Sequence, residues 1–419
     1  MAAYPTPKAV ALSPDGVFYD TGRAHPLSER LDLDDIGAVL NGAALAFRGE
    51  EGVVMLDTLM PTTAPGPEWT YTHLRPWTTF TREEDQQVLH VGWWPELGKA
   101  HKLGPLLDGC ANLAEVAHRL GRYHALTGTP WRYTAGVTGC AALRARYTDP
   151  RPGRQPFWHH RPIKGIRGSG PLIWTCPKQP DRDLAGSVFM FDINAMYLAG
   201  IRNGRVAWGT LKRHQSGNFD PDWAGYWEID TARIPAELLD GAERPPIFPR
   251  SHIHKGAVWV TTPMAKYVGE LIGSLDVLDA YVCENAATVG RTFAERLMAA
   301  RNGDFGDVGE TGLALKRTYA ETVGMVAREG GSIWRADWSH TWMDLSRVNM
   351  LRRTDRLGGY HDVWPIAVQT DAAYYFVGDG CDLTPERMAE VLGVGTAPGT
   401  FKNALTLTVP EYRAKMRLR

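Results

Sequence analysis

The chain has 419 residues, 44% of them hydrophobic and 22% charged, with a formal net charge of −1. That length and composition suit two or three folded cores and argue against disorder. No apolar run reaches the roughly 18 residues of a spanning helix, and the leading MAAYPTPKAVALSPDG lacks the charged and apolar regions of a secretory signal. A cytoplasmic protein with no membrane partner is therefore expected. The five cysteines are scattered without a CxxC pair, so neither a disulfide framework nor a zinc site is indicated, and they read as reduced core residues.

In chain order, short apolar runs (AALAFRG, GVVMLDTLM, QVLHVGWW) with Pro and Gly punctuation predict an α/β domain with a small mixed sheet over residues 1–143. In ANLAEVAHRLGRYHALTG, the positions Leu113, Val116, Ala117 and Leu120 recur at helical spacing, and Gly128 is a stop. Residues 144–180 form a basic segment: Arg144, Arg146, Arg151, Arg154, Arg161, Lys164, Arg167 and Lys178 stand against the single acid Asp149, with Phe157, Trp158 and Trp174 interleaved. Cations with aromatic faces suit a nucleic-acid strand; a solvated basic linker reads equally well.

SVFMFDINAMYL reads as a buried strand that ends in an acid and turns into a helix, and GYWEIDTARI as a further strand. TFAERLMAARN and ETGLALKRTYAETVGMVA read as two helices joined by GDFGDVG. A third helix, HTWMDLSRVNMLRRTDRL, leads to VWPIAVQTDAAYYFVGDG, two hairpin strands flanking Gln369-Thr370-Asp371. Asp192 and Asp371 stand out because each interrupts an apolar strand. A carboxylate in such a place needs a cation or a donor, and Mg²⁺ with substrate phosphates is one such partner. Capping of the following turn is the alternative for each acid taken alone.

With their neighbours, the acids suggest more. FDINAMY resembles motif A of family B DNA polymerases, D-x-x-S-L-Y-P, matching at Asp192 and Tyr197, with Met196 in the apolar slot and Ala195 and Leu198 in place of serine and proline. VQTDAAYYF resembles motif C, Y-x-D-T-D-S, with Asp371 on the second aspartate. Gln369 stands in place of the first aspartate, Ala367 of the tyrosine and Ala372 of the serine. LKRTYAETVG resembles motif B, K-x-x-x-N-S-x-Y-G, at Lys316 and Gly324, with Ala320 and Val323 replacing asparagine and tyrosine. IRGS, at Arg167 and Gly168, is similar to the Y-x-G-G segment of protein-primed members. PPIFPRSHIHKGAVWVTTPMAKYV, with Trp259 to Pro263, resembles their stretch between motifs A and B.

The resemblance covers roughly residues 160–380 in family order. It implies an α/β (α+β) fold: a right-hand palm at 181–286 and 331–395, helical fingers at 287–330, a reduced thumb or basic tail at 396–419, and an RNase H-like N-terminal domain. No Asp-x-Glu pair precedes Asp192, so that domain is expected to lack the family's nuclease. The resemblance further implies two Mg²⁺ (or Mn²⁺) ions on Asp192, Asp371 and the Ile193 carbonyl. It implies nucleotide contacts at Tyr197, Lys316, Arg301 and Gly324, and DNA contacts at Arg161, Lys164, Arg167, Gly168 and Lys402. Primed DNA template and deoxynucleoside triphosphates are the implied partners, with a terminal protein or processivity partner. Gln369, Ala320 and Val323 leave a second reading open, a polymerase-derived factor that binds DNA ends or a terminal protein without catalysis. A different phosphoryl transferase is the third.

Overall fold

The computed structural model describes residues 6–27, 30–48, 50–58, 60, 65–74, 77–95, 104–146, 158–180, 184–215, 217–379, 381 and 383–417. Asp149, Arg151, Arg154 and Phe157 lie outside them. The chain forms two compact units, Met1–Arg146 with Glu295–Met325, and Tyr147–Ala294 with Val326–Arg419.

The first unit is built on strands β1 (Ala9–Ser13), β2 (Gly16–Tyr19), β3 (Ala24–Pro26), β4 (Gly52–Leu56), β5 (Trp69–Leu74), β6 (Trp77–Arg82) and β7 (Val88–Trp93). They form one sheet in the order β3-β2-β1-β4-β7-β6-β5, with β1, β4 and β7 parallel and the outer pairs antiparallel. This is the mixed sheet expected from the apolar runs. Helix Leu113–Thr127 buries Leu113, Val116, Ala117 and Leu120 on one face; Asn112 caps its start, and Gly128, at φ 64°, ends it in the left-handed conformation. Helix Gly312–Met325 belongs to this unit. Its Thr318 hydroxyl lies 2.7 Å from the Tyr123 hydroxyl, Glu321 accepts from the Gly136 N–H at 3.2 Å, and Ala314 sits in the same core.

The second unit contains β8 (His159–His160), β9 (Ile173–Thr175), β10 (Gly186–Ile193), β11 (Val206–Ala207), β12 (Lys212–Arg213), β13 (Ala224–Asp230), β14 (Ala257–Thr261), β15 (Val277–Cys283), β16 (Ala286–Ala287), β17 (Trp334–Arg335), β18 (Ala367–Gln369), β19 (Ala372–Gly378) and β20 (Phe401–Thr408). The central sheet runs β20-β10-β19-β18-β9 and is antiparallel throughout; a second antiparallel sheet runs β12-β15-β13-β14. Residues 401–408, within the segment expected as a reduced thumb or basic tail, form an edge strand of the central sheet. Phe401 at its start and Val409 and Tyr412 just beyond it are buried, which fastens the segment down.

Alternate residues of β10 serve two cores. Phe189, Phe191 and Ile193 enter the large core with Tyr375, Val368 and Phe401, while Val188 and Met190 meet Tyr374, Val409 and Tyr412. A strand covered on both faces reads as one apolar run, which is why SVFMF lacks alternation. The cysteine reading needs one correction: Cys140, Cys176 and Cys283 are buried and free, whereas Cys381 is exposed.

Helix Ala336–His361 starts before the expected stretch and carries a polar interior. Asp344, fully buried, accepts from the Ser169 N–H at 3.2 Å and the Thr261 hydroxyl at 2.7 Å, which fixes the Arg167–Gly168 turn and the end of β14. Burial pushes the Asp344 carboxyl up and, in the same pocket, pulls the His340 imidazole down. His340 Nδ1 lies 2.7 Å from the Tyr226 hydroxyl. Arg347, drawn down to about 10 by burial, donates to the Ile247 and Pro246 carbonyls.

The same helix packs on Met196–Asn203, the helix that follows Asp192, through Gly200: a Cβ there would meet Ser346 Oγ at 2.7 Å and the Trp342 carbonyl oxygen at 2.9 Å. Gly200→Ala is expected to lower stability by about 1–3 kcal/mol in urea unfolding. Asp344→Ala, which strands two buried donors, should cost about 2–4 kcal/mol. Asp344→Asn should cost less, because it keeps an acceptor and removes a charge that burial opposes; equal losses for Ala and Asn would contradict this account.

Candidate active site

Asp192 is the penultimate residue of β10, and the antiparallel register sets it opposite Ala372 of β19 and Lys402 of β20. Asp371 precedes Ala372, in the turn between β18 and β19. The Ile193 N–H donates to the Asp371 carbonyl at 2.6 Å, so the two acid-bearing backbones are joined where the strands end. The site therefore brings Asp192, Ile193 and Asp371 together. Tyr197, half-buried on the helix after Asp192, belongs with them: burial first, and then the Asp371 carboxylate, raise its phenol above the ordinary value. Burial, Asp192 and Asp371 do the same to Tyr374, which lies on the Val188–Met190 face of the sheet. Opposite Asp192, Lys402 Nζ is 2.9 Å from Oδ2.

Both acid-bearing turns hold a non-glycine residue in the left-handed region: Ala195 at φ 46° and Thr370 at φ 60°. A β-branched residue there is a true outlier and costs about 1–3 kcal/mol, so neighbouring bonds must hold the turns. They do: the Thr370 N–H donates to the Leu172 carbonyl at 2.7 Å, and the Asn194 N–H to the Thr400 carbonyl at 2.8 Å. The Gly399 N–H returns to the Asn194 carbonyl at 2.6 Å, and the Asn194 side chain bonds the Thr396 carbonyl. Asn194, not singled out from sequence, is what ties the first acid to residues 396–400. Its only signal was a polar residue directly after a buried strand.

Two carboxylates and a backbone carbonyl are hard oxygen donors, the set with which Mg²⁺ is held when substrate phosphates and water complete its shell. Among the described residues no group of three or more His, Cys, Asp or Glu side chains is placed to hold an ion.

The remaining expected contacts are divided between the two units. Lys316, Arg301 and Gly324 belong to the first unit; Lys316 is exposed, Arg301 half-buried, and a Cβ on Gly324 would meet no atom within 4 Å. In the second unit, Arg161, Lys164 and Arg167 are exposed on the loop before β9. Gly168 is a packing requirement, since its Cβ would fall 2.5 Å from the His340 ring. Arg167 lines a cavity of about 600 Å³ with Glu228, His252, His254, Lys255 and Trp259. His252 and Lys255 were missed from sequence, where nothing brings them to Arg167. Of the aromatics read as stacking faces, Trp158 packs its edge on Trp338 at 5.9 Å and Trp174 donates to the Gly241 carbonyl at 2.9 Å, so both are engaged by the fold.

No protein-family model matches the chain, and no curated protein sequence matches it. Among solved structures it is similar to Phi29 DNA polymerase complexed with primer-template DNA and incoming nucleotide substrates, with a TM-score of 0.52, 11% identity, and coverage of 96% of this chain and 85% of that one. It is likewise similar to the orthorhombic crystal form of Phi29 DNA polymerase, with a TM-score of 0.50, 11% identity, and coverage of 93% and 81%. At this identity the likeness is one of fold, and the chain is a mixed α/β protein folded like Phi29 DNA polymerase.

Proposed function

We propose that the chain is an exonuclease-deficient, template-directed DNA polymerase of the protein-primed type, serving replication of a phage, plasmid or other mobile element. The observation that carries this reading is the placement of Asp192 at the end of β10 and Asp371 in the β18–β19 turn of the same sheet, backbone-bonded through Ile193, with Tyr374 beside both acids and Tyr197 beside Asp371. The polymerase-like fold supports it.

Asp192, Asp371 and the Ile193 carbonyl would hold two Mg²⁺ or Mn²⁺ ions, which supply Lewis-acid stabilisation of the attacking and leaving oxygens. The protein's own part is positioning. The primer hydroxyl would lose its proton to solvent as its oxygen forms the new bond to the α-phosphorus and the bond to pyrophosphate breaks, and the two acids orient that line. Tyr197 packs under the sugar and excludes a ribose 2′-hydroxyl. Lys316, with Arg301, neutralises the triphosphate, and Gly324 completes the motif B helix. Arg161, Lys164, Arg167, Gly168 and Lys402 contact DNA. Residues 1–143, without the nuclease acids, form the exonuclease-like domain; β1 carries Ala9, Val10, Ala11 and Leu12, all buried.

A second reading, a DNA-end or terminal-protein binding factor without catalysis, draws on Gln369, Ala320 and Val323 and on the Lys402–Asp192 ion pair, which neutralises one of the two acids. Primer extension with labelled deoxynucleotides and Mg²⁺ or Mn²⁺ separates the two. Asp192→Ala and Asp371→Ala are each expected to abolish incorporation while leaving DNA affinity nearly unchanged. Incorporation that persists in both would remove the site assignment, and its absence in the native chain with intact DNA binding would favour the second reading. Tyr197→Ala is expected to raise ribonucleotide use, read as the deoxy/ribo incorporation ratio; an unchanged ratio would refute the steric gate.

A further inference from the structure

Lys402 is not an incidental neighbour of Asp192. The β10–β20 register sets the two residues directly across from each other, and pairing continues on both sides, Phe191 with Asn403 and Ile193 with Phe401. Phe401 is fully buried, its ring 6.2 Å from that of Phe191, with the Arg353 guanidinium over its face at 5.7 Å. The backbone that presents the lysine is thus held by the sheet and the core. Among the described residues, Lys402 is the one cation in an ion pair with Asp192.

An ammonium 2.9 Å from Oδ2 takes one of the carboxylate's lone pairs and already neutralises its charge, so it opposes a divalent ion on the same carboxylate through like-charge repulsion and competition for that oxygen. The pair is also exchangeable: the Lys402 side chain is 49% exposed and that of Asp192 20%. Partners this open are held weakly, within a factor of about five, and a lysine on its four-carbon stem can swing to another anion. In a site that meets DNA, the nearest competing anion is a backbone phosphate.

We propose that Lys402 is the exchangeable counter-ion of Asp192, coupling divalent-metal binding to DNA binding: a phosphate that engages Lys402 frees Asp192 for the metal, and a metal on Asp192 frees Lys402 for the phosphate. The proposal rests on the reading of Asp192 as a metal ligand. Thermodynamic reciprocity makes the coupling symmetric, so DNA tightens metal binding by the factor with which metal tightens DNA binding.

The test is Mn²⁺ binding to the full-length protein, followed by loss of the free-ion EPR signal, with and without a primed duplex. Without DNA, Lys402→Met is expected to bind Mn²⁺ about two- to fivefold more tightly than the native chain. Lys402→Arg, which keeps the charge, should bind no more tightly than native. Primed DNA should tighten Mn²⁺ binding more in the native chain than in Lys402→Met. Equal or weaker Mn²⁺ binding by Lys402→Met, or equal tightening by Met and Arg, would overturn the counter-ion role. Asp192→Asn separates the two failures: lost Mn²⁺ affinity there, with Lys402→Met unchanged, overturns the proposal alone, whereas unchanged affinity in Asp192→Asn overturns the metal-ligand reading with it.

Discussion

The antiparallel pairing of β10 with β19 is the constraint on which the second unit depends. Side chains alternate along a strand, so a slip of one residue would carry Phe189, Phe191 and Ile193 out of one core and send Asp192 to the wrong face. The register is held from both sides, by β19 and by β20, and by the bond from Ile193 to Asp371 that closes the strand ends. Two acid-bearing segments far apart in sequence thereby become neighbours through the backbone.

Holding the acids there has a conformational cost, and it falls in their turns. Ala195 and Thr370 are left-handed where glycine would be at ease, and each turn is compensated by backbone bonds to distant segments, Leu172 for one and Thr400 for the other. The polar interior of the helix Ala336–His361 serves a similar end: Asp344 spends a buried charge to hold the loop of Arg167 and the end of β14.

What was legible in the sequence was local. The run into Asp192, the hairpin around Asp371, the Leu113–Thr127 helix with its Gly128 stop and the two later helices follow from periodicity and turn chemistry within a dozen residues. What was not legible depends on partners far along the chain. Asn194 reads as one more turn residue until its partners at 396–400 are known. Ser169 and Asp344 are 175 positions apart. FKNALTLT carries a strand's composition, but its place beside β10 comes from Phe401 and Tyr412 finding cores formed by earlier elements. Trp158 and Trp174 depend on distant partners too, Trp338 for one and Gly241 for the other, which nothing within the basic segment announces.

The helix Gly312–Met325 has a further consequence, for synthesis on the ribosome. It fills part of the first unit's core through Ala314, Thr318 and Glu321, the last two bonded to Tyr123 and Gly136, yet it follows some 150 residues that build the second unit. The first unit therefore cannot close when its own N-terminal segment has been made, although it still closes before the second, which needs residues 326–419. Its exposed face must wait for residue 325 to leave the exit tunnel, so the N-terminal segment spends much of its synthesis with apolar surface uncovered, a natural point for a chaperone to act.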